Sequence, residues 1–168
     1  MFFDALSLDS TDASNIAFVG GNQATRGVYA SLAGGPITRI VDTSMLFPGT
    51  TATFTDFASV AIDPTDIAFV GSSTDGDKGL FAAIDGNLVD LLNVGDSLDG
   101  KIVSDLSRAG LTHTPSALRV FFRASFDDGS TELLSIATPE PSGDLAATVA
   151  VITLSPDAMR STEGVSAA

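Results

Sequence analysis

Short apolar runs, each closed by a polar or glycine-bearing turn, alternate along the whole chain. The clearest is Asp66-Ile67-Ala68-Phe69-Val70-Gly71, followed by a polar turn from Ser72 to Lys78 and a second run, Gly79-Leu80-Phe81-Ala82. Two apolar runs joined by a turn of this chemistry predict a β-hairpin. The same phrase stands earlier as Asn15-Ile16-Ala17-Phe18-Val19-Gly20 with Gly27-Val28-Tyr29-Ala30. A worn form follows as Val120-Phe121-Phe122-Arg123-Ala124 with Leu133-Leu134-Ser135. Phe3 to Phe54, Ile16 to Ile67 and Ile40 to Leu91 are each 51 positions apart, Gly27 to Gly79 is 52, and Ile67 to Val120 is 53. A fixed period of this length marks a repeated supersecondary unit.

Each unit reads as strand, Asx-rich turn, strand, polar turn, strand, glycine turn, strand. The last turn is Ala33-Gly34-Gly35 in the first unit and Asp85-Gly86-Asn87 in the second, residues that tolerate positive φ. The loops Asp42 to Thr53 and Asn93 to Gly100 link the units. The third opens at Lys101-Ile102-Val103 and is predicted to turn from Arg108 to Ser116. Its central hairpin is Leu118 to Phe126 with Thr131 to Ala137, and Ala146 to Leu154 supplies its fourth strand after an interruption at Pro139 to Gly143. The expected organisation is one repeat domain over 1–154, with units at about 1–50, 51–100 and 101–154, and a tail over 155–168.

The predicted fold is all-β: three four-stranded antiparallel propeller-like blades, about 12 strands in all. The Ile-Ala-Phe-Val strands are apolar on both faces, as expected of strands sandwiched between neighbouring blades, with Phe18, Phe69 and Phe122 as equivalent core residues. Three blades do not close a ring, so the ring is either closed by oligomerisation or left open. A β-sandwich or barrel is the alternative.

Composition narrows the partners. A net charge of −13 and a pI near 4.1 repel nucleic acid and anionic membrane surfaces. The absence of cysteine excludes disulfides, thiolate metal sites and a cysteine nucleophile. No run approaches the ~18 apolar residues that span a bilayer, so no membrane insertion by this chain is expected. Met1-Phe2-Phe3-Asp4 lacks the basic region and apolar core of a secretion signal, which predicts an intracellular protein or a mature or truncated form.

With the units in view, the chain resembles the tandem-repeat, propeller-like region of bacterial surface proteins that carry a Pro-Glu-Pro C-terminal sorting signal (PEP-CTERM proteins of the choice-of-anchor repeat type). The matching pieces are Asp66 to Gly71, Phe47 to Phe57, Val94 to Val103, Phe126 to Ser130 and Ala137 to Pro141, together covering roughly residues 1–141. The resemblance implies an extracellular or cell-surface location and a structural or matrix role. In that family Pro-Glu-Pro precedes a membrane helix and a basic tail. Here the following apolar segment is only Leu145 to Leu154 and no basic cluster closes it.

Chemistry is sparse. His113 is the single histidine and sits in Thr112-His113-Thr114-Pro115, a predicted surface turn. No serine lies in a G-x-S-x-G elbow. Asp75-Gly76-Asp77 and Asp127-Asp128-Gly129 place paired carboxylates on glycine turns, which makes Asp75, Asp77, Asp127 and Asp128 calcium candidates. Ordinary turn chemistry accounts for the same residues, and Asp96 and Asp99 flank a further turn of this kind. No carboxylate pair is singled out for glycoside hydrolysis. One tyrosine and no tryptophan leave a sugar site without its usual platforms. No cofactor other than calcium is suggested. The expectation is a non-enzymatic extracellular or surface module whose partner is itself, assembling through blade edges and faces into an oligomer or filament. The alternative is a propeller-like module binding a ligand such as a glycan or calcium.

Overall fold

The computed structural model describes residues 5–12, 14–22, 24–114, 117–139 and 150–153. Among them there is no helix, and strands fall into three antiparallel sheets. The first is a meander of β1 (Ala5–Asp12), β2 (Asn15–Gly21), β3 (Arg26–Ser31) and β4 (Ile37–Asp42). The second repeats it with β5 (Phe54–Asp63), β6 (Asp66–Ser73), β7 (Lys78–Ile84) and β8 (Asn87–Asn93). The third contains β9 (Ser97–Leu98), β10 (Lys101–Thr114), β11 (Ala117–Phe126), β12 (Thr131–Pro139) and β13 (Ala150–Thr153), paired in that order. The third sheet thus has five strands, because Leu98 in the linking loop pairs with Lys101.

The all-β class and the central hairpins agree with the sequence pattern. The turns between third and fourth strands also behave alike. Ala33 and Gly34 have φ of 51° and 68°, and Asp85 and Gly86 have φ of 49° and 79°, the left-handed conformation of tight turns, within a five-residue loop in the first sheet and a two-residue one in the second. One expectation fails. No turn begins at Arg108; β10 runs on to Thr114, and His113 lies within this strand rather than in a surface turn. The chain absorbs the extra residue at Arg108 as a β-bulge with φ of 57°. Ser59, its counterpart in β5, does the same with φ of 52°. The span 140–149 and the tail from residue 154 lie outside the described residues.

Packing follows from strand alternation, since successive side chains point to opposite faces. In the second sheet Ile67, Phe69, Phe81 and Ala83 meet Ala17, Val19, Val28 and Ala30 of the first sheet in one core. Ala68, Val70, Leu80 and Ala82 on its other face meet Val120, Phe122, Ala124, Leu134 and Ile136 of the third sheet in a second core. The middle sheet is therefore covered on both faces, which explains why β6 is apolar without alternation. In the third sheet, by contrast, β11 alternates: its even residues from Leu118 to Phe126 are buried, and Arg119, Phe121, Arg123 and Ser125 are not.

Phe18, Phe69 and Phe122 occupy matching places. Each pairs across its hairpin with Tyr29, Phe81 or Leu134. The first two pairs stack alike, with ring centroids 5.9 Å and 5.5 Å apart. Phe69 and Phe122 both face the preceding sheet, whereas Phe18 points away from the second sheet, toward the side that precedes its own. The linking loops add matching plugs: Phe47 is buried in the first core, and Leu98, 51 positions later, in the second. Gly71 lies under the Phe54 ring, where a β-carbon would come within 2.7 Å of Cε1.

Candidate functional site: the contacts between sheets and the acidic turns

The chemistry-bearing side chains gather where one sheet meets the next, and they do so twice in the same way. Arg26, at the start of β3, pairs with Asp56 of β5 at 3.0 Å. Lys78, at the start of β7, pairs with Asp105 of β10 at 2.7 Å. Asp56 and Asp105 hold the same register position, opposite Ser72 and Ser125. Each bridge is solvent-facing and contributes about 0.2–1 kcal/mol, but it fixes how one sheet lies on the next.

The first residues of β2 and β6 form a further latch. Asn15 accepts a hydrogen bond from the Ala33 N–H (2.7 Å) and donates through Nδ2 to the Pro64 carbonyl of the next sheet (2.5 Å). Asp66, 51 positions on, accepts from the Asp85 N–H at 3.2 Å and reaches His113 Nε2 of the next sheet, also at 3.2 Å. Asp63 accepts the His113 N–H at 2.8 Å, so two carboxylates bracket this residue. The Asp66 side chain is buried and that of His113 half-buried. Ser59 Oγ, on the β5 bulge, completes the seam by accepting the Ala109 N–H at 2.7 Å. An aspartate beside a histidine is also the orienting half of a hydrolytic triad. Here both side chains are committed to holding sheets two and three together.

The four calcium candidates occupy two separate hairpin turns. Ser73 organises the first: its Oγ accepts the Asp75 and Asp77 N–H groups at 3.2 and 3.0 Å and donates to Asp77 Oδ2 at 3.2 Å. In the second, Asp127 Oδ1 accepts the Ile102 N–H at 3.1 Å, and Asp128 Oδ1 accepts both the N–H and Oγ–H of Ser130. The cation beside this turn is an ammonium. Lys101 Nζ lies 3.3 Å from Asp128 and 2.8 Å from Glu132, and 5.2 Å from the centroid of the Phe126 ring. The hydrogen bond to Glu132 raises the Lys101 pKa, and the Ser130 donors lower that of Asp128, so the pair stays ionised. The cluster is an ion-pair network. Among the described residues, no three His, Asp or Glu side chains come together as a metal-holding group.

Acids and bases also sit at matching places on the fourth strands. Arg39 Nη1 contacts Asp42 Oδ2 at 2.6 Å in β4, and Asp90 accepts from Asn93 Nδ2 at 2.9 Å in β8. Burial alone would raise the Asp42 pKa, but donors on Ser44 and the Arg39 guanidinium outweigh it and hold the carboxyl below its ordinary range. Partial desolvation by its neighbours, with the charge of Asp96 adding to it, pushes the Asp90 carboxyl up, although the residue stays exposed.

Sequence reasoning singled out the acidic turns and missed the latches. The signal was present in the 51-residue spacing of Asn15 and Asp66 and in the matched Arg26 and Lys78. What hid it is that the partners, Pro64 and His113, lie in a different unit. Comparison with protein-family models and with curated proteins finds no match for this chain.

Proposed function

We propose that the chain is a non-catalytic structural module of the cell surface or extracellular space that works by docking on copies of itself. Its sheets are stacked in a propeller-like way. Support comes from the wedge between sheets: β5 lies against β1 and β10 against β5, whereas the fourth strands β4 and β8 make no comparable contact. Sheets that meet at their first strands and splay at their last are arranged as radial blades are. The surface location rests on the resemblance to Pro-Glu-Pro-bearing repeat proteins.

The observation that carries the reading is the outward face of the third sheet. Each earlier sheet presents the corresponding face to a following sheet, and the middle one is buried on both sides. On the third, Leu133 is 40% exposed and Arg123 is exposed. A face and edge of this kind favour association by side-chain burial and strand addition. Light scattering on the eluting protein across a concentration series tests the proposal, with electron microscopy to distinguish ring from fibre. Concentration-dependent growth in mass is expected; a strict monomer at high micromolar concentration refutes it.

A further inference from the structure

The three sheets share one hairpin plan, and besides its extra strand and longer β10 the third differs in the chemistry of one face. Register equates Asn15 and Asp66, the latch residues of β2 and β6, with Arg119 of β11. It likewise equates Ala68 with Phe121, Val70 with Arg123, Leu80 with Leu133 and Ala82 with Ser135. In the first two units this face is aliphatic and covered by the next sheet, and its latch residue crosses to that sheet. In the third, two arginines frame a phenylalanine. A guanidinium offers only donors, in a planar fork suited to carboxylates. At the latch position, then, the third sheet offers donors that pair with no acid among the described residues.

The distribution of charge says where such acceptors are. Arg26, Arg39, Lys78 and Lys101 are all ion-paired. Arg108, Arg119 and Arg123 pair with no acid among the described residues, and all three belong to the third sheet. The chain otherwise carries 21 acidic residues against 8 basic ones. Asp85, Asp90, Asp96 and Asp99 are exposed along β8 and the turns on either side of it, and none of them is ion-paired to a described base. β8 is the edge of its sheet, with Leu88, Val89 and Leu91 half-buried between the charges. A cationic face with an aromatic centre and an anionic edge with aliphatic residues thus lie at different places on one molecule.

We infer that the Arg119–Phe121–Arg123 face of one copy docks on the β8 edge of a second copy, at Asp85, Asp90, Asp96 and Asp99. The two surfaces are different, so the contact is head-to-tail, and it propagates into a ring or a filament. This rests on the self-association proposed above and names its partner surface.

The test uses neutral substitutions on each side. Arg119→Gln with Arg123→Gln removes the donors, and Asp90→Asn with Asp96→Asn removes acceptors. Thr50→Glu with Thr51→Glu, both at exposed positions, matches the charge change of the first pair from elsewhere on the surface. Circular dichroism and melting curves verify that each variant is folded. The arginine and aspartate variants are each expected to associate at least about tenfold more weakly than the native chain, the scale on which loss of close charged contacts acts. The threonine variant is expected to assemble normally. An equimolar mixture of arginine and aspartate variants retains one native pair of surfaces, so it is expected to form a one-to-one pair that grows no further. Native-like assembly of the arginine variant overturns this contact while leaving self-association standing. A monomeric native chain overturns both.

Discussion

Replacing Phe81 by alanine probes the core that joins the first two sheets. Phe81 is fully buried, with its ring centroid 5.1 Å from Phe47, 5.4 Å from Phe54 and 5.5 Å from Phe69. Truncating a buried phenylalanine costs about 3–5 kcal/mol through lost transfer energy and the cavity left behind. Aromatic pairs contribute about 0.5–1.5 kcal/mol beyond area burial, and three are lost here, which places the expected cost at or somewhat above the top of that range. Phe122→Ala is the internal control: Phe122 is equally buried but pairs across its hairpin with Leu134 rather than with a ring. Its cost should lie near about 3–4 kcal/mol. In a domain of this size each kcal/mol lowers the melting temperature by about 2–4 °C, so Phe81→Ala should fall by about 10–20 °C. Urea denaturation at equilibrium, with the slope m compared between variants, gives both energies directly. If Phe81→Ala costs no more than Phe122→Ala at equal m, the aromatic cluster is not the main tie between these sheets.

Other substitutions interrogate the seams. Gly71→Val should destabilise by more than about 2 kcal/mol, because its β-carbon would press on the packed Phe54 ring at 2.7 Å; Ala124→Gly, at the equivalent third-sheet position, should cost about 1 kcal/mol or less in the same denaturation assay. Asp66→Asn retains a side-chain acceptor for the Asp85 N–H, as Asn15 provides one for Ala33, and should cost less than Asp66→Ala, which removes that acceptor and the contact to His113 at about 1–3 kcal/mol. Equal losses from the two would remove the latch from the account. The depressed pKa of Asp42 has a definite sign: its folded value lies below the unfolded one, so its stabilisation is complete above the unfolded carboxylate value near about 4 and disappears as pH falls through the folded value. The extra stability of the native chain over Asp42→Asn should therefore shrink on acidification in that window, which melting curves at stepped pH will show. Asp90 has the opposite shift, so Asp90→Asn should be neutral to mildly stabilising at pH 7, with the gain fading as the native carboxyl protonates.

How much of this was written in the chain can be followed at particular residues. The period of about fifty residues, the hairpin of Asp66 to Ala82 and the left-handed turns at Ala33 and Asp85 were legible, because strand periodicity and turn stereochemistry are local properties. Even the double-faced burial of Phe69 and Ala68 was foreshadowed by an apolar run without alternation. The arginines at 119 and 123 break the apolar run of β11, but that its even residues alone pack on the second sheet is a fact of the tertiary structure. The extension of β10 through Arg108 was not legible, since a bulge with positive φ at a non-glycine residue is supported by the hydrogen bond that the next residue, Ala109, donates to Ser59 in another unit. His113 reads as a turn residue in sequence and becomes a clamped one only when Asp63 and Asp66 approach from the neighbouring sheet. Local residues chose the strands and where they turn; tertiary structure chose which faces meet. Charge pairing and latch geometry depend on groups some fifty residues apart, and only the stacking of sheets brings them within hydrogen-bonding reach.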